Sequence, residues 1–356
     1  MRIIAFTKYD REAASTRQRF LQYGPALAAA GIALDHRPLL SSAYVRSLAT
    51  HEGFSRVEIA RRYAARLSDL LAPRRPGDIF WVHAELFPFL PSAVERLVFR
   101  PGAPVVYDWD DAVFVPYQEH RRALVRGVLG RKFEHVLGKA AAVTCGNAYL
   151  RDYCARFCER SMIVPTVVDT DVYRPAERGE GPLTLGWIGS PSTWVNVRPL
   201  LPTLARFCHE HGARFRAIGA GKVAAGDASE GLELADWAEA TEVSEVQRFD
   251  IGIMPLIDGP FQRGKSGYKL IQYMACGLPT IASPIGVNRQ IVTHGETGLI
   301  ASSADQWTEA LTGLAGDAAL RRQMGQAGRA RAVESYSLAS QAPRLVDLFR
   351  SVAGSG

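Results

Sequence analysis

The sequence lacks any apolar run that could cross a membrane, because no stretch of it reaches about 18 apolar residues. Its opening residues, MRIIAFTKYD, are typical of a β-strand and lack the long apolar core and the small-residue cleavage site of a signal peptide. Cysteine is scarce, with five residues spaced for neither a disulfide framework nor a closed zinc site. We therefore expect a protein of the reducing cytoplasm, in which any association with a membrane is peripheral.

Two further absences concern the ligand. No glycine occurs between Thr7 and Arg17, so the G-x-G-x-x-G fingerprint is missing after the first strand, which argues against a nicotinamide-dependent dehydrogenase. The net charge is only +6, without the clustered Lys and Arg of a nucleic-acid binder. Two interpretations of this mild basicity remain open: an ordinary solvated surface, or attraction to anionic ligands or an anionic membrane.

The length of 356 residues and a hydrophobic content of 47% favour two domains, each with its own core. Strand-like and helix-like segments alternate along the chain, which predicts parallel sheets covered by helices. The predicted strands are Arg2–Thr7, Ile79–Val82, Val105–Tyr107, Ala141–Thr144, Met162–Val164, Leu183–Ile188, Phe215–Ile218, Ile251–Met254, Thr280–Ser283 and Gly298–Ile300. The predicted helices include Arg17–Ala30, Tyr268–Cys276, Asp305–Ala315, Ala318–Glu334 and Leu338–Val352.

A polar segment rich in Pro and Gly interrupts this alternation at Val168–Pro182, and it includes Gly179. We predict a Rossmann-like domain over residues 1–170, a linker over 171–182 and a second Rossmann-like domain over 183–335. The last helix, in residues 336–356, is expected to pack back toward the first domain. Ligands of such sheets bind beyond the carboxyl ends of the strands, in a cleft between the two domains.

The segment Pro260–Val292 has the features of a diphosphate site. Three cations, Arg263, Lys265 and Lys269, surround the start of the helix predicted from Tyr268. The free N–H groups and the dipole of that helix point at the same place. An ordinary helix with a glycine-flanked start is the alternative interpretation. The predicted donor-binding residues of this segment are Arg263, Lys265, Ser266, Gly267, Tyr268, Lys269 and Gln272.

This segment also resembles the donor-site signature of glycosyltransferase family 4, the group 1 glycosyltransferases of the GT-B fold. The matching positions include Met274-Ala275-Cys276-Gly277 with Pro279, and His294-Gly295 with Thr297-Gly298-Leu299. The resemblance covers about forty residues in register. It implies transfer of a sugar with retention of its anomeric configuration, and no metal or other cofactor.

The sequence departs from the family at two positions. The family has two glutamates eight residues apart, and these fall on Gly264 and Gln272. Neither residue carries a carboxylate, although Gln272 can still bond a ribose or sugar hydroxyl as a neutral amide.

A second phosphate-binding turn is predicted after the first strand of the C-terminal half. Its residues are Gly189, Ser190, Ser192 and Thr193, whose hydroxyl and backbone groups can hold phosphate oxygens. Capping of the following helix by Ser or Thr is the alternative, and we expect both roles together. Gly219–Gly221 and Leu232–Trp237 resemble loops that flank a nucleobase.

The candidate catalytic residues are Asp108, Asp110 and Asp111, which cluster just past the Val105–Tyr107 strand. Three acids in four positions are unfavourable together unless they are solvated or serve a ligand. Relatives commonly carry a histidine near the reacting sugar at about the position of Asp110. Asp108-Trp109-Asp110 also resembles the D-x-D metal motif of a different glycosyltransferase fold, but the donor signature belongs to the metal-independent fold. Helix capping by Asp111 with solvated acids is the alternative.

Two further strand-end loops of the first half are predicted to bind the acceptor. The loop after the first strand leads into a helix with an S-x-R-x-R pattern, and the loop after Ile79–Val82 carries a histidine and an acid. Structural roles for these residues remain an open alternative. The candidate residues are Ser15, Thr16, Arg17, Arg19, His83 and Glu85.

The sequence therefore predicts a two-domain α/β glycosyltransferase of the GT-B fold. Its donor is a nucleotide-diphosphate sugar and its acceptor a glycan, a lipid-linked molecule or another compound. A noncatalytic protein that binds nucleotide sugars, or a scaffold for another transferase, is the alternative that the missing glutamates suggest.

Overall fold

Short apolar runs in each half of the chain form the strands of two separate parallel sheets. The computed structural model describes residues 1–50, 53–177, 181–227 and 231–354. It contains two units: Met1–Thr166 with Arg263–Ser266 and Gln341–Gly356, and Val167–Gln262 with Gly267–Ser340. This architecture confirms the predicted α/β fold class.

The first unit has a six-stranded sheet in the order β2-β1-β3-β4-β5-β6. Its strands are β1 (Arg2–Tyr9), β2 (Ala33–Leu40), β3 (Asp78–His83), β4 (Val105–Trp109), β5 (Ala142–Cys145) and β6 (Ser161–Ile163). All six pair in parallel, with His83 opposite Asp108 and Asp108 opposite Thr144. The loops that follow β1, β3, β4 and β5 therefore lie at one edge of this sheet.

Nine α-helices accompany this sheet within residues 1–50 and 53–166. They are α1 (Ala14–Arg19), α2 (Gly24–Ala29), α3 (Ser42–Thr50), α4 (Arg56–Leu71), α5 (Ser92–Glu95), α6 (Val115–Gln118), α7 (Ala123–Leu129), α8 (Glu134–Leu137) and α9 (Ala148–Ala155).

The prediction of one continuous helix over Arg17–Ala30 was wrong. The chain instead forms α1, a 3₁₀ turn at Leu21–Tyr23 and then α2. Pro25 stands in the first turn of α2, where its missing N–H costs nothing, whereas inside a longer helix it would remove a hydrogen bond.

The second unit has a six-stranded parallel sheet in the order β12-β11-β10-β7-β8-β9. Its strands are β7 (Thr184–Ile188), β8 (Arg214–Ile218), β9 (Leu232–Ala235), β10 (Ile251–Met254), β11 (Thr280–Ala282) and β12 (Gly298–Ile300). Successive residues of β7 enter different cores: Trp187 packs with Trp194 and Phe215, whereas Ile188 packs with Ile271. Helices therefore cover both faces of the sheet.

The helices of the second unit begin after the 3₁₀ turns at Pro191–Asn196 and Arg198–Leu200. They are α10 (Leu201–His211), α11 (Glu242–Val246), α12 (Pro260–Arg263), α13 (Tyr268–Ala275), α14 (Asn288–Ile291), α15 (Ala304–Gly316) and α16 (Ala318–Ser335). Arg263, the last residue of α12, belongs to the first unit.

Two strands were missed in the sequence, and both lie at a sheet edge. The strand β2 carries Asp35, His36 and Arg37, and β9 lies in the stretch that we had interpreted as a loop beside a nucleobase. An edge strand contacts the sheet on one side only, so its sequence need not show the apolar run of a buried strand.

The last helix, α17 (Leu338–Ala353), belongs to the first unit from Gln341 onward. The Phe349 ring packs edge-on against Trp81 at 5.1 Å between centroids. Arg344 and Arg350 donate to backbone carbonyls of Ile163 and Ala30. Arg329 of the second unit donates to the backbone carbonyls of Thr170, just before the predicted linker, and of Tyr173 within it. Gly179 of the predicted linker lies outside the described residues.

All five cysteines are free and buried. Across the part of the chain that the structure describes, no helix combines the length and the apolar composition that crossing a bilayer requires.

Candidate functional site

The first of the three predicted acids, Asp108, is paired with an arginine inside the first unit. Arg19 donates through Nε and Nη2 to the two Asp108 oxygens at 2.9 and 2.6 Å. Both side chains are only 1% exposed, and Arg19 also donates to the Val164 carbonyl at 2.7 Å. Asp108, which was predicted to be catalytic, and Arg19, which was predicted to bind the acceptor, therefore form an ion pair with each other.

The second acid, Asp110, is paired with His83 across the neighbouring ends of β3 and β4. The distance between His83 Nε2 and Asp110 Oδ1 is 3.0 Å. Burial would lower the pKa of His83, but the Asp110 and Asp108 carboxylates together outweigh burial and raise that pKa. Burial would raise the pKa of Asp110, but His83, Arg19 and Lys265 together lower it to about 2. The pairing therefore favours the charged form of each side chain.

The pair leaves one of its ring nitrogen atoms without a hydrogen-bond partner. His83 Nδ1 is buried and has no hydrogen-bond partner. The Asp110 side chain is 14% exposed, so solvent reaches part of its carboxylate. A carboxylate oxygen that is close to solvent and held ionised can accept a hydrogen bond from a hydroxyl group or stabilise a developing positive charge.

The third acid, Asp111, binds a cation from a distant part of the chain. Lys265 Nζ lies 3.0 Å from Asp111 Oδ1, and Asn147 donates to the Lys265 carbonyl at 2.9 Å. Burial raises the pKa of Asp111, and Lys265 offsets only part of that effect. These contacts explain why Arg263–Ser266 belongs to the first unit.

The close packing of this segment also accounts for one departure from the family pattern. A Cβ added to Gly264 would lie 2.6 Å from Ala112 Cβ and 2.8 Å from Ala112 N. Atoms do not approach so closely without displacement. A glutamate therefore does not fit at this position.

Among the acceptor-loop predictions, Glu85 has little contact with solvent. It accepts hydrogen bonds from Lys132 and Tyr117 at 2.6 and 2.9 Å and is 4% exposed. Thr16 donates to the Tyr9 carbonyl, and Arg17 to the carbonyls of Arg11 and Glu12. Ser15 is half-buried on α1.

In the second unit, the turn after β7 shows the expected capping geometry. Thr193 Oγ1 accepts from the Ser190 N–H at 3.1 Å, and the two residues form a capping box at the start of the 3₁₀ turn. The exposed hydroxyl groups of Ser190 and Ser192 are 3.1 Å apart. The Gly189 N–H donates to the Ile218 carbonyl, which holds this turn beside the end of β8.

The start of α13 requires a glycine. Gly267 adopts the left-handed conformation at φ 69°, and a Cβ there would lie 2.2 Å from Ile291 Cδ1. This tight turn sets the direction of α13, whose first N–H groups have no carbonyl partner within the helix. Tyr268 and Lys269 follow at once, and Lys269 Nζ lies 5.5 Å from the Trp187 ring centroid.

The second departure from the family, Gln272, lies in a buried polar network. Its Nε2 donates to Glu242 Oε1 at 2.8 Å and to the Tyr173 hydroxyl at 3.1 Å. Glu242 also accepts from Tyr173, Trp237 and Tyr268, and burial together with Glu242 raises the pKa of Tyr173. Position 272 has thus lost its carboxylate, but a carboxylate from α11 lies against it.

Sequence reasoning missed Glu242 and Tyr173, because they are 30 and 99 positions from Gln272 and follow no common spacing. The replacement of the family's acid by an amide was the one available signal, since a buried amide donor needs an acceptor.

In the described residues, no group of three His, Cys, Asp or Glu side chains could hold a metal ion.

Two six-stranded parallel sheets with polar loops at their strand ends define the class of this protein as a GT-B fold. Residues 182–317 match the model of the family described as Glycosyl transferases group 1. The resemblance to the group 1 glycosyltransferases is therefore confirmed.

Similar proteins agree with this assignment. The chain is 32% identical over 105 residues to D-inositol 3-phosphate glycosyltransferase of Pseudarthrobacter chlorophenolicus, covering 29% of this chain and 22% of the relative. It spans less than two thirds of the length of the curated relatives it matches.

Two solved structures share the fold across the chain. Sucrose-phosphate synthase from Thermosynechococcus elongatus superposes with a TM-score of 0.73 at 16% identity, covering 100% of both chains. The Anabaena protein HepE, in complex with UDP and glucose, also gives a TM-score of 0.73, at 13% identity over 99% of this chain and 100% of that chain.

Proposed function

We propose that this protein is a glycosyltransferase that moves a sugar from a nucleotide-diphosphate sugar to the hydroxyl group of an acceptor. The observation that carries the proposal is the group 1 match over residues 182–317, which contains both the turn at Gly189–Thr193 and the start of α13. Solved structures of the same fold contain UDP with glucose, so UDP-glucose is the first donor to test.

In this proposal the donor diphosphate is stabilised by the backbone N–H groups that begin α13 and by nearby cations such as Lys269. These groups replace a metal ion in neutralising the charge that develops on the leaving diphosphate. We expect transfer to be unaffected by a chelator such as EDTA.

The residues that act on the acceptor are proposed from the geometry of the first unit. Asp110, held ionised by His83, accepts a hydrogen bond from an acceptor hydroxyl or stabilises positive charge on the transferred sugar. The bond from the sugar to the diphosphate breaks, the acceptor oxygen bonds to the same carbon, and its proton leaves with the diphosphate. The family resemblance supports retention of anomeric configuration, which NMR of the product measures.

The test has two stages. Calorimetry with UDP, GDP, ADP, TDP and CDP is expected to show binding of at least one nucleotide, and turnover is then measured with the matching sugar donor. Asp110→Asn is expected to lower turnover by about 100-fold or more, since it removes an electrostatic contact to the reacting centre, without changing nucleotide affinity. The control is Asp152→Asn, a 67% exposed acid on α9. Absence of binding to every nucleotide would refute the proposal.

A noncatalytic nucleotide-sugar-binding or scaffold role is the second candidate, favoured by the absence of both family glutamates at Gly264 and Gln272. It predicts nucleotide binding with no transfer to any acceptor, unchanged by Asp110→Asn. Detection of a glycosylated product eliminates it.

The Glu242–Gln272 contact provides a charge-swap prediction. Gln272→Glu would place two buried carboxylates in contact, so we expect a lower unfolding temperature and weaker nucleotide binding. The double variant Glu242→Gln/Gln272→Glu restores one acid and one amide, and it should recover most of both losses. Calorimetry and thermal unfolding measure these effects.

The matched control is Glu245→Gln, an acid of the same helix that pairs with Arg216 instead. If the double variant were as impaired as Gln272→Glu alone, the contact between the two residues would not explain the loss.

A further inference from the structure

An aromatic cluster lies where β1 and β2 of the first unit end. The rings of Tyr9, the last residue of β1, and Tyr44 of α3 are stacked, with 6.2 Å between their centroids and 17° between their planes. The Phe54 ring packs edge-on against Tyr44 at 5.0 Å between centroids. All three residues are half-buried, so the cluster has an apolar body and a part that solvent reaches.

Backbone and side-chain hydrogen bonds fix this cluster in place. Asp10, which follows Tyr9, donates its N–H to the Leu40 carbonyl at 3.0 Å, and Ser42 donates to the Asp10 carboxylate at 2.9 Å. These bonds hold the start of α3 against the end of β1. The fold therefore sets the position of Tyr44 beside Tyr9.

The polar groups of the cluster have no protein partner. The hydrogen bonds of Tyr9 and Tyr44 use their backbone groups, and within the described part of the chain neither phenol hydroxyl has a hydrogen-bond partner. Lys8 Nζ lies 5.3 Å from the Tyr9 ring centroid, and no carboxylate of the described residues pairs with it. Two hydroxyl groups and an ammonium group thus remain beside the aromatic rings as hydrogen-bond donors.

The sheet register places Tyr9 level with Asp110. His83 of β3 pairs with Asp108 of β4, and the β1–β3 register, continued by one residue, brings Thr7 level with His83. Tyr9 and Asp110 each lie two residues beyond this row. Only β3 separates β1 from β4, so the two strands are two spacings, or about 10 Å, apart. A ligand that reaches both Asp110 and the aromatic cluster is therefore longer than a single sugar ring.

We propose that Lys8, Tyr9 and Tyr44 form a second acceptor subsite, which binds a sugar of a glycan acceptor whose reacting end lies at Asp110. This inference rests on the proposed function. Aromatic rings pack against the apolar C–H face of a sugar, and phenol and ammonium groups bond to its hydroxyl groups. The acyl chain of a lipid would cover the rings but leave the three polar groups without partners, which is unfavourable.

The test measures glycan binding directly, on an array of monosaccharides, oligosaccharides and alkyl glycosides. The full chain is applied alone and with each of UDP, GDP, ADP, TDP and CDP. We expect binding to oligosaccharides of one type and much weaker binding to the corresponding monosaccharide. Tyr9→Phe/Tyr44→Phe keeps both rings and should weaken oligosaccharide binding by about tenfold or more, and Lys8→Met should weaken it as well. Nucleotide affinity and the unfolding temperature should stay at the parent values.

The matched control is Tyr336→Phe, which removes the hydroxyl group of a half-buried tyrosine in the second unit. It should bind oligosaccharides like the parent protein. Absence of glycan binding, equal binding of a monosaccharide and its oligosaccharide, or tighter binding of an alkyl glycoside would overturn the subsite. So would oligosaccharide binding that survives both the double tyrosine variant and Lys8→Met.

Failure of the subsite is distinguishable from failure of the proposed function. Transfer to a monosaccharide acceptor that these variants leave unchanged would overturn the subsite and support the proposed function. Absence of binding to every nucleotide in calorimetry would refute the proposed function, whatever the array shows.

Discussion

Replacing Arg19 by Met is expected to lower the free energy of unfolding by about 3–5 kcal/mol, because it leaves the Asp108 carboxylate buried without its cation. Both side chains are almost completely inaccessible, and two hydrogen bonds join them. The substitution also removes the donor to the Val164 carbonyl, which lies near the end of the first unit's last strand. Chemical denaturation followed by circular dichroism measures the loss.

Two further variants distinguish the stability cost of an unpaired buried charge from the cost of losing any ion pair. Arg37→Met breaks a pair with Asp35 in which the arginine is 45% exposed, and it should cost no more than about 1 kcal/mol. Arg19→Met/Asp108→Leu removes the unpaired charge and should recover much of the stability lost by Arg19→Met. A loss near zero for Arg19→Met would mean that Asp108 is neutral or hydrated, and would contradict the ion pair.

The second large effect is expected at Gly264, where restoring the family's glutamate should impair the protein. The added Cβ would overlap Ala112 at both its Cβ and its backbone N, so the segment Arg263–Ser266 must move. Overpacking of this kind typically costs about 1–3 kcal/mol. The displacement would also disturb the contact of Lys265 with Asp111, and we expect the proposed transfer reaction to be at least tenfold slower.

A glutamate elsewhere on the surface should have neither effect. Gly313 lies exposed on α15, and a Cβ there meets no atom within 4 Å. Gly313→Glu therefore controls for the added charge. Faster transfer by Gly264→Glu, with unchanged unfolding temperature, would show that the segment accommodates the side chain and that our explanation of this glycine is incorrect.

The sequence predicted where the candidate site lies better than it predicted which of its residues contact each other. Parallel strands bring their carboxyl-end loops to one sheet edge, so Asp108, Asp110 and His83 could be placed together from the strand pattern alone. The strand pattern could not predict which acid pairs with which base, because pairing depends on sheet order and side-chain direction. Asp108 lies against Arg19 from α1, whereas Asp110 lies against His83 from the end of β3.

The alternation of apolar runs and helical segments was enough to predict two Rossmann-like sheets, and the motif around Cys276 was enough to indicate the resemblance to the group 1 glycosyltransferases. Both signals are local, since strand and helix periodicities and a glycine-led helix start are properties of short segments. Edge strands such as β2 and β9 escaped detection, because their sequences do not show a buried strand's apolar run.

At Lys265–Gln272, where the phosphate-binding signature is strongest, the chemistry depends on residues from remote parts of the chain. Ala112 excludes a side chain at Gly264, and Glu242 supplies the carboxylate that lies against Gln272. Such contacts join positions 30 to more than 150 residues apart, and their distances are properties of the folded chain. The sequence could therefore show that two acids had been replaced, while packing alone revealed why one replacement is a glycine and the other an amide.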